Sequence, residues 1–237
     1  MSETHALSAL KCPLPASEPV LEEVAACLTQ DLGAALAFAL MRVGGDDQPD
    51  TRPCVFVAPK VWLRERGRPF APGWSQMGRG LILVETLDEH QALWALEEAL
   101  KSGAISGAIG ALAAPDFVAT RRLDFAARAG RACAVVLRVG QTGGLSTARR
   151  RWQIASMASG GHAFDARAPG SERLRASLIR RRDGVPGFWE LEWDNERRAW
   201  LGSGARARDH GQTHSLPVVA GLADHGLATG QPRPAAA

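Results

Sequence analysis

Lysine is nearly missing from this chain. Of 28 basic residues among 237, only Lys11, Lys60 and Lys101 are lysine. The remainder are arginines, whose planar fork suits bidentate contacts to phosphate or carboxylate. A GC-rich genome, favouring Arg, Ala and Gly codons, produces the same bias. With 25 acidic residues the net charge is only +3, a balance that by itself indicates no nucleic-acid partner. Cysteine is scarce as well. Cys12, Cys27, Cys54 and Cys133 form no CxxC pair and match no zinc-site spacing, so they read as buried thiols of a reducing compartment. No apolar run approaches the ~20 residues of a membrane span, and the opening MSETHALSALKCPLP lacks the apolar stretch of a secretory signal. A soluble, cytoplasmic protein is expected. Hydrophobic residues make up 46%, enough for a sizeable core and against wholesale disorder.

The motifs of common chemistries are absent too. A phosphate-binding loop needs G-x-x-x-x-G-K-[ST] between the first strand and first helix, so that backbone amides wrap the phosphate and Lys holds its charge. This chain has CLTQDLGA there, with Gly33 as the remaining glycine and Asp31 to repel an anion. There is no G-x-S-x-G elbow, no H-E-x-x-H and no G-x-G-x-x-G. His210, His214 and His225 fall in a non-periodic tail. Glu85 follows a buried strand but has no phosphate site to serve and reads as a surface residue. Glu22-Glu23 and Glu97-Glu98 are adjacent pairs, which do not share a face, and read as solvated. No catalytic residue, metal or cofactor is assigned.

What is present is an alternation of strands and helices. Val20–Ala26 reads as a first strand. A helix over about Asp31 to Val43 follows, with Leu32, Leu36, Leu40 and Val43 as its buried stripe, ended by Gly44-Gly45 and a loop over Asp46–Arg52. CVFVA (54–58) and LILV (81–84) are short apolar runs of the kind buried on both faces of a parallel sheet. Pro59 closes the first, and residues 64–80, rich in Gly and Pro, read largely as loop. A second long helix opens at a T-x-x-E capping box, Thr86 and Glu89, presents Leu93, Leu96 and Leu100 inward, and ends at Gly103. Ile105–Leu112 is a weaker, Gly-interrupted strand. Asp116 caps a third helix that stops at Gly130, and ACAVVLRV (132–139) is a further buried strand. Such spacing calls for a mainly parallel sheet with helices on both faces and right-handed crossovers.

After Gly144 the pattern changes to alternation. Arg151–Met157 alternates, and Leu174, Ala176 and Leu178 alternate with Arg173, Arg175 and Ser177. A turn at Asp183-Gly184 leads to Trp189, Leu191 and Trp193, alternating with Glu190 and Glu192. This is an antiparallel hairpin added to the sheet, with Arg173 and Arg175 set to pair with Glu190 and Glu192 and the tryptophans on its inner face. The domain reading is a flexible arm over 1–17, one α/β domain over 18–201, and a disordered tail over 202–237.

The candidate functional groups are arginine clusters. Arg149, Arg150 and Arg151 precede Trp152; Arg180, Arg181 and Arg182 lie at the predicted hairpin turn; Arg121 and Arg122 lie on the third helix. Basic groups beside aromatics hold single strands by charge and stacking, and equally hold an acidic protein surface. A solvated, charged turn explains them as well.

Several stretches taken together resemble a known family. They are LILVETLDEHQALWALEEAL (81–100), KSGAI (101–105), TRRLDFAARAG (120–130), TARRRWQI (147–154), and residues 174–193 ending GFWELEW. Their order and spacing are similar to the ImuA family of damage-inducible mutagenesis proteins, related to RecA and to the cell-division inhibitor SulA. The resemblance covers roughly residues 20 to 195. It implies a RecA-like core and expression in the SOS response. It also implies a non-catalytic role, by protein contacts, in error-prone translesion synthesis with ImuB and a DnaE-type polymerase, RecA being a further candidate partner. Location in the cytoplasm, at the nucleoid during DNA damage, follows from that role. Many relatives carry a longer N-terminal part with a glycine-rich LPGGGL-like segment, which this chain lacks. Two other readings follow from the same kinship: a SulA-like protein that binds FtsZ, and a degenerate RecA-type ATPase. Direct single-strand binding through the arginines is a fourth, with affinity falling steeply in salt.

Overall fold

A computed structural model describes residues 19–44, 51–70, 73, 80–140, 144–162, 164–165, 167–182, 186–196 and 199–207. The arm over 1–17, the Asp183-Gly184 turn, most of the tail and its histidines lie outside these residues. Among the described residues nine strands form one sheet: β1 Leu21–Ala26, β2 Cys54–Pro59, β3 Leu81–Thr86, β4 Gly107–Ala111, β5 Cys133–Val139, β6 Arg150–Met157, β7 Arg173–Arg181, β8 Gly187–Asp194 and β9 Ala199–Ala207. Their order is β3-β2-β4-β5-β1-β6-β7-β8-β9. The pairings from β3 to β6 are parallel and those from β6 to β9 antiparallel. This is the expected α/β class, with the predicted hairpin as β7–β8. Pairing continues through β9, so strand structure runs past Gly202, where loss of periodicity predicts coil.

Because side chains alternate across a strand, the sheet feeds two cores. Helix α1 (Leu32–Gly44) packs Ala35, Phe38 and Ala39 against Val24, Phe56, Ile109 and Val135 on one face. Helices α3 (Glu89–Lys101) and α4 (Phe117–Gly130) cover the other, with Leu96, Leu100 and Leu123 against Val55, Val57, Ala108 and Val136. The buried face of α1 therefore centres on alanines and Phe38, while Leu32, Leu36 and Leu40 are only partly buried at its rim. Small residues on the inner face let the helix sit close to the sheet. On β4, a Cβ at Gly107 would lie 2.8 Å from the Val43 Cβ and 2.9 Å from the Cys133 carbonyl oxygen.

Three local expectations change. Pro59 ends β2 and also serves as N-cap of a short helix, α2 (Lys60–Arg66), in a region read partly as loop. Proline suits a helix start, where its missing N–H costs nothing. The cap of α3 is Asp88, whose Oδ1 accepts from the Gln91 amide at 2.8 Å, and not Thr86. Glu89 instead accepts from the Ala114 amide at 3.3 Å. Asp116 caps α4 as predicted, accepting from the Ala119 amide at 2.7 Å. Gly103, at φ 66°, follows α3. There Gly130, the last residue of α4, meets the Leu100 carbonyl so closely that a Cβ would overlap it. Arg173 and Arg175 do pair with Glu190 and Glu192, at 2.9 Å for Arg175–Glu190.

Candidate partner-binding surface

The centre of the sheet holds charge. Strand β1 lies between β5 and β6 and carries Glu22 and Glu23, 0% and 1% exposed. Reading these two as solvated is wrong: adjacent strand residues point to opposite faces, and in a central strand both faces are covered. Glu22 points toward α1. Its Oε1 accepts from Arg42 Nη2 at 2.6 Å and Arg150 Nη1 at 2.9 Å; its Oε2 accepts from Arg42 Nε and Trp152 Nε1, both at 2.9 Å. Four donors satisfy the carboxylate, the Arg42 contact being side-on and bidentate. Burial pushes the Glu22 carboxyl up, but the guanidiniums of Arg42 and Arg150 outweigh it and hold the group below its ordinary range. Glu23 points to the other face, 3.3 Å from Arg151 Nε and 3.7 Å from Arg138 Nη1.

This arrangement relocates part of the predicted arginine site. Arg150 and Arg151 are 1% and 5% exposed and Trp152 is 0% exposed. They answer the two glutamates in register, Glu22 to Arg150 and Glu23 to Arg151. Trp152 packs against Phe38 and Trp189, at centroid distances of 4.9 and 5.6 Å, with Arg42 5.6 Å over its ring. None of the three offers a surface to a partner. Two acids inside an apolar run and an RRW opening another strand are a complementary pair, and that is the signal which could have located them.

The turn from β1 to α1, where a phosphate loop would sit, is occupied from within. Asp31 is buried; its Oδ2 accepts from the Leu28 amide at 3.0 Å and its Oδ1 from the Ser156 amide on β6 at 2.9 Å. The carboxylate thus fills the turn and takes up its Leu28 amide, a donor of the kind that faces phosphate in a nucleotide-binding turn. Asp31→Ala is expected to leave both amides unmatched and cost about 1–3 kcal/mol, read as a lower urea midpoint. An unchanged midpoint would show that water replaces the carboxylate. Glu85 is exposed and pairs with Arg68.

The remaining arginines fall into two groups. Pairing of β6 with β7 sets Arg150 opposite Arg181 and Arg151 opposite Arg180, and the Arg182 amide donates to the Arg149 carbonyl at 3.2 Å. Clusters thirty residues apart thus meet at one end of the sheet, with Arg180 and Arg182 exposed and Arg149 and Arg181 half-buried. Arg121 and Arg122 stand apart, exposed on α4. Arg122 bridges to Glu97 of α3 at 2.5 Å, and Lys101 joins the same carboxylate at 2.6 Å. Glu97 is buried between these cations and is not solvated, while Glu98 is exposed. Cys54 and Cys133 are buried free thiols; burial pushes the Cys133 thiol far up. Among the described residues no helix is long and apolar enough to cross a membrane, and no cluster of His, Cys, Asp or Glu could hold a metal.

No protein-family model matches the chain. Protein ImuA of Caulobacter vibrioides, from strains NA1000 / CB15N and ATCC 19089 / CIP 103742 / CB 15, is 34% identical over 184 residues. The match covers 72% of this chain and 70% of each relative. This chain belongs to the ImuA family. The damage-inducible mutagenesis proteins suggested by the WALEEAL, RRL and GFWELEW segments are thus its relatives. Of the arginines in the segments so recognised, Arg150 and Arg151 of TARRRWQI belong to the interior of the sheet, while Arg180 and Arg182 are exposed. SulA from Pseudomonas aeruginosa aligns at 21% identity and TM-score 0.36, covering 51% of this chain and 98% of that one, too loosely to bear on fold or function.

Proposed function

We propose that this ImuA-family protein is a non-catalytic accessory of SOS-induced, error-prone translesion synthesis. It acts by contacts with ImuB, an error-prone DnaE-type polymerase and RecA. The observation that carries the non-catalytic part is Asp31. A carboxylate already holds the Leu28 amide of the β1–α1 turn and the Ser156 amide of β6, and an anionic side chain there opposes a bound triphosphate. Family membership supports the mutagenesis part. The exposed arginines offered to partners are Arg180 and Arg182 with Arg149 and Arg181 beside them, and separately Arg121 and Arg122.

The test is recovery of tagged protein from DNA-damaged cells, with retained proteins identified by mass spectrometry. Retention of ImuB, the polymerase or RecA is expected. Arg180→Glu with Arg182→Glu is expected to reduce one of these partners about tenfold, equivalent to about 1.4 kcal/mol. Retention of FtsZ alone, or of nothing, overturns the proposal. Calorimetry with ATP is expected to show no binding heat; saturable binding would restore the ATPase reading.

A further inference from the structure

Large apolar side chains are exposed in several places, but five of them gather on the α3–α4 layer. Trp94 on α3 is 61% exposed, and Val118 and Phe125 on α4 are 64% and 58%. Leu87 and Phe117, just before α3 and at the start of α4, add 65% and 45%. Val118 and Phe125 are seven residues apart and lie on one helix face, with Arg121 and Arg122 between them. Between the helices is a notch of about 90 Å³, lined by His90, Leu93, Trp94 and the Arg122-paired Glu97 from α3 and by Ala119, Arg122 and Leu123 from α4. That is room for about three waters at ~30 Å³ each, or one aliphatic side chain. Clustered exposed apolar surface of this kind marks an interaction site more often than scattered residues do.

The charges indicate what fits. Arg122 and Lys101 are balanced by Glu97 and Glu98 together, and Arg128 by Asp124 at 2.9 Å. Arg121 has no ion-pair partner among the described residues; its guanidinium lies 5.6 Å over the Phe125 ring. The outer face of α4 thus offers a cation stacked on an aromatic, with Val118 on the same helix face, and between α3 and α4 lies a notch, edged by Trp94, for one apolar group.

We propose that the outer face of α3–α4 docks an acidic, amphipathic helical segment of a partner protein. One apolar residue of that segment fills the notch, and a carboxylate pairs with Arg121. A groove between two helices suits a third helix, read through anchors at helical spacing. This rests on the accessory reading above and assigns it a contact surface distinct from Arg180 and Arg182.

The experiment replaces Trp94 or Phe125 of the full chain with a photo-crosslinking phenylalanine analogue, in damaged cells, with Phe164 as control. Mass spectrometry maps the adduct peptide. The expected result is a cross-link from positions 94 and 125, not 164, to one acidic segment with helical apolar spacing. Arg121→Glu is expected to reduce it at least fivefold while leaving the urea midpoint unchanged. Adducts to a second copy of this chain, to nucleic acid or to a neutral or basic segment overturn the proposal. No adduct, while the tagged protein still retains its partners, overturns this surface alone. Loss of both adduct and retained partners overturns the accessory reading with it.

Discussion

Glu22→Ala is expected to destabilise the protein by about 3–5 kcal/mol, the cost of leaving a buried charge unpaired. The substitution removes one carboxylate but strips four donor contacts, from Arg42, Arg150 and Trp152. Two of the side chains left behind are guanidiniums, 0% and 1% exposed, that cannot shed their protons. Urea unfolding, with slopes of about 1–3 kcal/mol/M, should show a midpoint lower by about 1 M or more. Glu22→Gln keeps the shape and one acceptor but loses the charge, and should fall between. Replacing Glu22, Arg42 and Arg150 together by apolar residues of similar volume should recover much of the loss, since a whole buried network is often replaceable where half of one is not. A single mutant within about 1 kcal/mol of wild type would mean that the guanidiniums reach water when their partner is removed. The same carboxylate sets an acid limit. Its pKa is lowered in the folded state, so the unfolded chain binds the proton more tightly. The stabilisation is complete above the unfolded value of about 4.3 and is lost as pH falls below it toward the lowered folded one.

Gly130→Ala is the second large effect. In an unconstrained helix this change favours the folded state by about 1 kcal/mol. Here the new Cβ would overlap the Leu100 carbonyl oxygen, a backbone atom that no rotamer change moves aside. The ends of α3 and α4 must separate, and overpacking of this kind costs about 1–3 kcal/mol, occasionally more. A net loss of about 2 kcal/mol is expected in urea unfolding. Gly33 supplies the contrast: it lies in α1, and a Cβ there would meet nothing within 4 Å. Gly33→Ala should therefore stabilise by about 0.5–1 kcal/mol. Equal effects at the two sites would show that α3 and α4 slide apart freely.

The α/β alternation was legible because apolar runs such as CVFVA and ACAVVLRV cannot be exposed, and their capped helices are long and periodic. The hairpin was legible for the same kind of reason, since Arg173, Arg175, Glu190 and Glu192 alternate with apolar residues and sit opposite one another. The interior charges were not. A glutamate in isolation belongs on the surface, and its arginines come from other elements of the fold: Arg42 from α1, Arg138 from β5, and Arg150 and Arg151 from β6, more than a hundred residues away in sequence. Local reading therefore placed Arg150, Arg151 and Trp152 outside and Glu22 and Glu23 in water, two errors with one origin. Helix α2 was missed because Pro59 reads as a stop, while the same residue also begins a helix. Arg121, Arg122, Arg180 and Arg182 are exposed, on an outer helix face and at the end of a hairpin strand, where local sequence alone leaves arginine in water.

The position of β1 also bears on the order in which the chain can fold during synthesis. Among the described strands it comes first in sequence, yet it lies between β5 and β6, and Glu22 has one of its arginines 128 residues downstream. At translation rates of about 5–20 residues per second, that separation takes on the order of ten seconds to synthesise. Arg42 and Arg138 reach the Glu22 and Glu23 carboxylates from earlier elements, while Arg150, Arg151 and Trp152 act as a late-closing clasp, set only when β6 emerges.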